Sequence, residues 1–473
     1  MGIEDSGRIG AQRLFAARSV AVFGASDGSL LHTTALRNLL ATAPGPVYGV
    51  NPRRTQALGV PCVPRAADLP IVPDLALMLV PDHALDGAVA DALALGIGTL
   101  VVCGLDDGPR QLPQVRRLAD AAARAGALLV GPNCVGVVTP SGPSPWIGSI
   151  PATLAAGPIA FVSQSGAVGE AIVGLGPRIG LRAVATLGYE AGADVADLCA
   201  YFADDPMTRA VGLFVETVRR PDAMAAAAAR LARAGKPVVA LKVGRSAAAA
   251  AASQAHTGAD VGAAETFAAL AGESGMVLVD DYAELVEALA LLDRIGPLAG
   301  TRIGAVTNSG GEAALLADVA DRVGVPFAPV GPALAAELEA AAPTGLSGCN
   351  PLDAWCSEDV LPTFRRAFAA MARSGAFDLL VGQTDLTPHL GELERRQTAL
   401  MAQALGEVSA EHGIPGVLLS AQASEPIAEV EAIARRDGLA LLRDVRAGLR
   451  AIRVVGGWRP ADAEAVAYAT DRA

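Results

Sequence analysis

Short apolar runs alternate with helix-patterned segments along nearly the whole chain, and this alternation constrains the fold more than any other feature. The first series contains the runs SVAVFGAS, VYGVNP, DLALMLVP, TLVVCG and ALLVGPN. Segments with helical spacing, such as TTALRNLLATA and DGAVADALALG, lie between them. Strands that alternate with helices pair in parallel and are covered by helices on both faces. The sequence therefore predicts an α/β chain that begins with a doubly wound, Rossmann-like domain.

The carboxyl ends of these strands form the first candidate site, because ligands of doubly wound sheets bind there. The predicted ligand-binding residues are Gly24, Ala25, Ser26, Asp27, Asn51, Arg53, Arg54, Val80, Pro81, Pro132, Asn133 and Cys134. The first turn, GASDG, lacks the GxGxxG spacing of dinucleotide-binding enzymes. A dinucleotide therefore has only weak support from this motif.

The end of the second strand distinguishes between nucleotides. An NAD site would place an acidic residue there, whereas this strand ends in Asn51, followed by Arg53 and Arg54. Two guanidinium groups favour a phosphorylated ribose, which coenzyme A and NADP both carry. The alternative is that both arginines belong to a solvated turn.

A second strand and helix series starts after the Pro/Gly/Ser-rich segment that follows Thr139. Its first strand runs into the turn SQSGA, which contains Ser163, Ser165, Gly166 and Ala167. A helix that starts after this turn would present free backbone N–H groups, and such groups bind anions. An ordinary serine N-cap explains the same pattern.

Two titratable residues of this series are predicted to converge on one sheet edge. Glu216 ends the strand VGLFVE, and the strand PVVALKV leads into a small-residue segment that contains His256. A carboxylate that accepts the Nδ1 proton leaves Nε2 free as a nucleophile. The alternatives are a solvated glutamate at a strand end and an incidental histidine beside an alanine-rich helix.

A third series starts at Thr301 with the strand, turn and helix pattern RIGAVTNSGGEAALLADVA. The turn holds Asn308, Ser309, Gly310 and Gly311, so a second helix N-terminus is predicted to face an anion. A tight strand-to-helix turn without a ligand is the alternative.

Charge and cysteine usage exclude several classes of function. The 473 residues carry a net charge of −12, which disfavours binding to nucleic acid or to an anionic membrane. The six cysteines show no CxxC pair and no metal-ligand spacing, so no metal site is predicted. We expect a cytoplasmic protein, because the start MGIEDSGRIG lacks the apolar core of a signal peptide and no apolar run is long enough to span a membrane.

The ordered motifs resemble the succinyl-CoA synthetase-like family of NDP-forming acyl-CoA synthetases, and the ADP-forming acetyl-CoA synthetase alpha subunit in particular. GPNCVGV resembles the CoA-binding domain, while SQSGA, TLG, the FVE strand end, KVGRS and AHTGA resemble a flavodoxin-like ligase domain. The resemblance implies that Pro132, Asn133 and Cys134 line a CoA site. It also implies that His256 carries a phosphoryl group between acyl phosphate and nucleotide, that Glu216 supports it, and that two helix N-termini face it.

The resemblance implies a domain layout and a partner. A CoA-binding domain is expected over 1–140, a ligase domain with the phosphohistidine loop over 141–297, and a second flavodoxin-like ligase domain over 298–473. The family's ATP-grasp module has no counterpart in these domains, and no Walker motif occurs. We therefore expect ATP or ADP, with Mg²⁺, at an ATP-grasp beta subunit, in a heterotetramer with this chain.

Two departures from the family pattern affect the expected sites. The first loop continues as DGSLLHTT where the family has Pro-Gly and a further Gly, and Glu190 in TLGYE replaces an asparagine-containing loop. Two functions of other classes also stay open: a non-catalytic CoA-binding regulatory protein and an NADP-dependent oxidoreductase. The acyl substrate is not indicated by any motif.

Overall fold

The computed structural model describes residues 3–105, 108–251, 264–342, 349–356 and 358–460. The chain divides into two compact units, and the division lies between Leu278 and Val279. None of the helices in the described part of the chain combines the length and the apolar character needed to cross a bilayer.

The first sheet contains seven strands. They are β1 (Val20–Phe23), β2 (Val47–Val50), β3 (Gln56–Ala57), β4 (Val60–Val63), β5 (Leu75–Met78), β6 (Thr99–Val102) and β7 (Leu128–Val130). Their spatial order is β3-β4-β2-β1-β5-β6-β7, and only the β3–β4 pair is antiparallel. The six parallel strands thus follow the Rossmann order 3-2-1-4-5-6, with the switch point between β1 and β5.

Helices cover this sheet and bury its apolar strands. They are α1 (Ile3–Ala16), α2 (Leu30–Thr42), α3 (Asp82–Ala94) and α4 (Leu112–Arg124), with short 3₁₀ segments at Ala66–Asp68 and Gly108–Gln111. All four residues of β1 are buried, as are those of β5 and β6. Burial on both faces explains why these strands are continuously apolar rather than alternating.

The second sheet has six strands. They are β8 (Val137–Val138), β9 (Ala156–Ser163), β10 (Leu181–Thr186), β11 (Ala210–Val215), β12 (Val238–Lys242) and β13 (Val277–Val279), in the order β13-β12-β11-β9-β10-β8. Strands β9 to β12 are parallel, and β8 adds an antiparallel edge. Apart from β8 this is the flavodoxin order, with the switch point between β9 and β11.

The helices of this sheet are α5 (Gly166–Val173), α6 (Val195–Asp204), α7 (Pro221–Arg233) and α8 (Ala264–Ser274). Residues 247–251 are also helical. Helix α1 packs on α6, where the ring of Phe15 stacks on that of Tyr201 at a centroid distance of 4.9 Å. The core of the first compact unit is therefore continuous from the first sheet to the second.

The second compact unit holds a five-stranded parallel sheet. Its strands are β14 (Ile303–Thr307), β15 (Leu352–Asp353), β16 (Leu379–Thr384), β17 (Gly416–Ser420) and β18 (Ala440–Arg443), in the order β15-β14-β16-β17-β18. Its helices are α9 (Tyr282–Arg294), α10 (Gly310–Val323), α11 (Pro332–Ala341), α12 (Val360–Arg373), α13 (Glu392–His412), α14 (Ala428–Arg436) and α15 (Val445–Gly457). This is again the flavodoxin order 2-1-3-4-5.

Charged pairs fix α9 against α15 in this unit. The carboxylate of Glu284, which is 1% exposed, accepts hydrogen bonds from Arg450 Nε at 3.0 Å and Arg446 Nη1 at 3.1 Å. A buried carboxylate needs such partners, because an unpaired buried charge is strongly destabilising.

The predicted fold class is confirmed: a Rossmann-like sheet is followed by two flavodoxin-like sheets. The domain boundaries predicted at residues 140 and 297 stay predictions.

Candidate functional site

The switch point of the second sheet brings the SQSG turn beside the end of β11. The backbone N–H of Gln164 donates to Phe214 O at 3.1 Å, which joins the end of β9 to β11. Ser165 caps α5 by accepting the N–H of Val168 at 3.4 Å, and Ser163 Oγ donates to Ser165 O at 2.6 Å. The predicted residues Gly166 and Ala167 form the first turn of α5, so its N-terminus opens at this edge.

Glu216 follows β11 directly and is buried, with 9% of its surface exposed. The side-chain oxygen of Gln164 accepts the backbone N–H of Glu216 at 2.5 Å and that of Thr217 at 2.9 Å. The Gln164 amide nitrogen donates to Thr217 O at 2.7 Å. Three hydrogen bonds from one side chain therefore fix the backbone that carries Glu216.

Lys242, the last residue of β12, is buried beside Glu216. Its ammonium group donates to Glu216 O at 2.7 Å and to Val243 O at 2.6 Å. Burial lowers the pKa of this ammonium, and the nearby Glu216 carboxylate opposes that effect. The lysine charge is thus directed at strand-end carbonyls, and it holds β11 and β12 together.

Glu190 is a site residue to which the sequence analysis gave no role. It lies in the loop after β10, has a φ of +50°, and is 4% exposed. Its Oε1 accepts the N–H of Val195 at 3.0 Å, and its Oε2 lies 3.5 Å from Arg219 Nε. Burial raises its pKa to about 7, the nearby Asp194 acts in the same direction, and a hydrogen bond to Gln164 opposes the rise.

An ion-paired helix cap follows Glu190. Asp194 and Asp197 form a capping box at the start of α6, and Arg220 donates to both oxygens of Asp194 at 2.6 and 2.7 Å. Burial acts to raise the pKa of Asp194, but the hydrogen bonds from Arg220 and from the Asp197 N–H outweigh it, so this pKa is lowered. The pKa of Asp197 is raised, chiefly by burial.

The loop that carries Glu190 is bonded to the predicted CoA-binding turn. Tyr189 N donates to Pro132 O at 2.9 Å, and Ala191 N donates to Gly131 O at 3.1 Å. Gly188 has a φ of +53°, and a Cβ at this position would overlap the carbonyl oxygens of Pro132 and Asn133. Backbone hydrogen bonds therefore join the candidate sites of the two sheets of the first unit.

The first-sheet crevice contains the remaining predicted CoA-binding residues. Gly24 has a φ of +84°, and a Cβ there would overlap Leu79 O, so β1 and β5 approach closely at the switch point. Asn51 donates through Nδ2 to Ala25 O at 2.8 Å and accepts the Arg53 N–H at 2.9 Å. This asparagine therefore shapes the turn in front of the two arginines.

The two arginines predicted to bind a ribose phosphate differ in their surroundings. Arg54 forms an ion pair with Asp27, and both belong to the predicted site. Arg53 is exposed at the crevice edge. The structure therefore points to Arg53 as the guanidinium that is directed at solvent. Ser26, Val80 and Pro81 lie at the same strand ends.

Cys134 is buried and lies close to a second thiol. Its Sγ donates to Val102 O at 3.3 Å. A hydrogen bond between the Cys103 and Cys134 thiols, with burial, raises the pKa of Cys103 well above its ordinary value. Because the thiolate is the reactive form, this shift lowers the reactivity of the Cys103 thiol.

The predicted glycine turn of the third sheet starts α10. Ser309 caps the helix by accepting the N–H of Glu312 at 3.4 Å, and Gly310 is its first residue. Burial, together with the nearby Asp385, raises the pKa of Glu312, which lies in the same first turn. Asn308 and Gly311 flank this cap. The acidic residue Glu312 therefore lies beside the predicted anion site.

His256 lies outside the described residues, so the structure does not place it. Within the described ranges, no group of three or more His, Cys, Asp or Glu side chains is arranged to hold a metal ion. The structure brings together Gln164, Glu190, Glu216 and Lys242 at one sheet edge. Only Glu216 of these belongs to the predicted site.

Two family models match the first three fifths of the chain. Residues 18–140 match a model described as a CoA binding domain. Residues 156–292 match a model described as a succinyl-CoA ligase like flavodoxin domain. Together the two matches cover more than half of the chain.

Curated relatives and a solved structure agree with these matches. Acetate–CoA ligase (ADP-forming) I of Archaeoglobus fulgidus is 30% identical over 456 residues, which are 94% of this chain and 63% of that protein. The alpha subunit of acetate–CoA ligase (ADP-forming) II of Pyrococcus furiosus is 29% identical, over 72% of this chain and 75% of that protein. The chain thus spans less than two thirds of the Archaeoglobus relative.

The fold is shared with a solved structure. It is the dinucleotide forming acetyl-coenzyme A synthetase 1 of Ca. Korarchaeum cryptofilum in complex with phosphate and ADP. The TM-score is 0.83 at 24% identity, and the match covers 98% of this chain and 99% of that one.

Proposed function

The chain belongs to the succinyl-CoA synthetase-like family of NDP-forming acyl-CoA synthetases, and from this premise we propose that it forms acyl-CoA from a carboxylic acid, CoA and ATP. The reaction is reversible and releases ADP and phosphate. It proceeds through a phosphohistidine and an acyl phosphate. Splitting the condensation into transfers to and from an enzyme nucleophile lowers the barrier of each step.

His256 carries the phosphoryl group in this proposal. A carboxylate oxygen of the acid attacks phosphorus, the P–N bond to the imidazole breaks, and acyl phosphate forms. The CoA thiolate then attacks the acyl carbon, the bond to the phosphate oxygen breaks, and phosphate leaves. The Glu216 carboxylate accepts a hydrogen bond from the Nδ1–H group of the imidazole, which fixes the tautomer and stabilises the positive charge of the phosphorylated ring.

CoA binds at the switch point of the first sheet. The close approach of β1 and β5 at Gly24 leaves backbone accessible to a phosphate, and Arg53 supplies positive charge to the phosphorylated ribose. The turn at Pro132 lies within hydrogen-bond reach of the Glu190 loop. This link supports delivery of the CoA thiol toward the second sheet.

Nucleotide exchange takes place on an ATP-grasp beta subunit, which binds ATP or ADP with Mg²⁺ and rephosphorylates His256. The Pyrococcus relative is named as an alpha subunit, which supports a hetero-oligomer of two kinds of chain.

The observation that carries the proposal is the meeting of the SQSG turn and Glu216 at the switch point of a flavodoxin-like sheet. A helix N-terminus at this edge stabilises a dianionic phosphoryl group, and the carboxylate stabilises the cationic imidazole to which that group is bonded. Stabilisation by helix ends requires no metal ion at this site.

The reverse partial reaction tests the proposal with this chain alone. The purified protein is mixed with acetyl-, propionyl-, butyryl- or phenylacetyl-CoA and ³²P-labelled phosphate, and free thiol and protein-bound label are measured. We expect at least one acyl-CoA to release thiol only when phosphate is present, with label on the protein. Thiol release that is independent of phosphate for all four compounds would contradict the proposal.

A further inference from the structure

A cleft lies at the edge of the second sheet opposite to the SQSG turn and Glu216. Its volume is about 1010 Å³, and all of its lining residues belong to the first compact unit. The amino ends of the parallel strands β9 to β12 and the end of α1 surround it. Strand β11 has six residues and therefore spans roughly 20 Å. The cleft is thus remote from Glu216, and it shares no lining residue with the CoA crevice.

Cationic side chains from four segments line this cleft. Arg18 lies just after α1, Arg182 lies in β10, Arg209 precedes β11, and Lys236 lies shortly before β12. None of the described residues that line the cleft is acidic. This composition runs against the net charge of −12 that the whole chain carries. A concave surface lined by one sign of charge attracts ligands of the opposite sign, so the cleft favours an anion.

Two of these cations are held in place by their neighbours. Lys236 Nζ donates to Phe202 O at 3.0 Å, to Ala203 O at 2.8 Å and to Asp205 O at 2.7 Å. Arg182 Nε donates to the carboxylate of Asp205, which is buried, at 2.7 Å. The carboxyl end of α6 and the charge of Asp205 would both repel an anion. Lys236 and Arg182 offset that repulsion.

Arg18 is the cation that is open to a ligand. Its backbone N–H donates to Asp74 Oδ2 at 2.8 Å, which anchors the start of the side chain. Arg18 is exposed, and its guanidinium group forms no hydrogen bond or ion pair with the other residues that the structure describes. A guanidinium group recognises phosphate through two parallel hydrogen bonds. The available donors of Arg18 therefore suit a phosphate group.

Apolar side chains supply the rest of the lining. Phe15 and Leu181 are buried, whereas Met207 is 66% exposed. A methionine thioether is polarisable and makes favourable contacts with flat rings. Ligand pockets commonly measure about 300–1,000 Å³, so this cleft has room for a molecule larger than a single phosphate ion. It combines a surface for an anion with a surface for an apolar ring.

We propose that this cleft binds a nucleoside diphosphate, with the phosphates against the cationic wall that includes Arg18 and with the base on the apolar lining near Met207. The inference does not depend on the role proposed for His256. It places a nucleotide on this chain, at a site separate from the CoA crevice and from the ATP-grasp partner.

Isothermal titration calorimetry of the full chain with ADP tests this proposal. We expect saturable binding to the wild type. Arg18→Ala removes a charge-assisted contact, and Ala156→Trp places a large ring at an exposed position of the lining. Each should weaken ADP binding at least about 10-fold. Both positions are exposed, so the urea unfolding midpoints of the two variants should equal that of the wild type.

Two further arginine variants serve as controls. Arg124→Ala changes an exposed arginine at the end of α4, outside the lining, and should bind ADP as the wild type does. Arg53→Ala changes the CoA crevice and should retain the ADP site that Arg18→Ala weakens.

Three results would overturn the proposal. They are no binding of millimolar ADP to the wild type, loss of binding in Arg53→Ala but not in Arg18→Ala, and equal affinities of Arg18→Ala and Arg124→Ala. None of them bears on the labelling of His256, so failure of this inference is distinguishable from failure of the proposed function.

Discussion

The side-chain oxygen of Gln164 accepts the backbone N–H of Glu216 at 2.5 Å, across the switch point of the second sheet. The same oxygen accepts the N–H of Thr217 at 2.9 Å. One amide therefore joins the SQSG turn to the strand end where the candidate catalytic carboxylate lies.

Replacement of Gln164 by alanine should destabilise the protein. Two backbone N–H groups lose their acceptor, and each buried, unsatisfied donor costs about 1–3 kcal/mol. We expect the free energy of unfolding in urea to fall by roughly 2–4 kcal/mol. Gln403→Ala is the control, since the Gln403 amide donates to Glu407 one turn along α13 at 2.8 Å and its loss should change stability by about 0.5 kcal/mol. Equal effects of the two substitutions would contradict this assignment.

Glu216→Gln should slow phosphorylation and leave the fold intact. The amide keeps the size of the side chain but no longer carries the charge that stabilises a cationic phosphoimidazole. We expect the rate of labelling by acetyl phosphate to fall about 100-fold, with an unchanged circular dichroism spectrum. A labelling rate equal to that of the wild type would show that Glu216 does not support phosphorylation.

Gly188→Ala should weaken both stability and CoA binding. The new Cβ overlaps the carbonyl oxygens of Pro132 and Asn133, and overpacking of this kind costs about 1–3 kcal/mol beyond the strain of a positive φ. Gly235→Ala is a matched control, because Gly235 has a φ of +71° but open space around its Cβ position. Calorimetry with CoA should show a loss of affinity for Gly188→Ala only. Similar losses for both variants would show that backbone strain, and not the contact with the Pro132 turn, is responsible.

The stability of the wild type should fall with rising pH relative to Glu190→Gln. The folded state raises the pKa of Glu190 from 4.5 to about 7, so between these values the folded protein holds a proton that the unfolded chain has lost. The stabilising contribution of the protonated carboxyl is complete below pH 4.5 and is lost as the pH rises through 7.

This displacement of the pKa of Glu190 corresponds to about 3 kcal/mol in the free energy of unfolding. Urea titrations should therefore show that the free energy of unfolding of Glu190→Gln, relative to that of the wild type, is roughly 2.5 kcal/mol higher at pH 8 than at pH 5. A difference between the two proteins that is constant with pH would mean that Glu190 does not titrate in this range.

The alternation of apolar runs was sufficient to predict three largely parallel sheets and the edge of each sheet at which polar residues collect. The carboxyl ends of parallel strands lie at the same edge of the sheet whatever the details of packing. Gly24, Glu216 and Gly310 could therefore be assigned to such edges from spacing alone. His256 stays a prediction, as it lies outside the described residues.

The contacts that organise the site depend on tertiary geometry. Glu190 follows a glycine turn and has no periodic signal, and its burial depends on a positive φ that brings its carboxyl to the Val195 N–H and to Arg219. Gln164 lies inside the SQSG motif, but its amide has hydrogen-bond partners only because β11 pairs with β9. Likewise, Arg54 is paired with Asp27 and Lys242 is directed at backbone carbonyls, which residue type alone does not indicate.

Transfer of phosphate to the imidazole of His256 is the central claim, and direct labelling tests it. Wild-type protein and His256→Ala are incubated with ³²P-labelled phosphate and a mixture of acetyl-, propionyl-, butyryl- and phenylacetyl-CoA, quenched in alkali, and digested for mass spectrometry. The account predicts up to one label per wild-type chain, lost in acid and stable in alkali, on the peptide that contains His256, and none on His256→Ala. Equal labelling of the two proteins, or no label on the wild type, would contradict it.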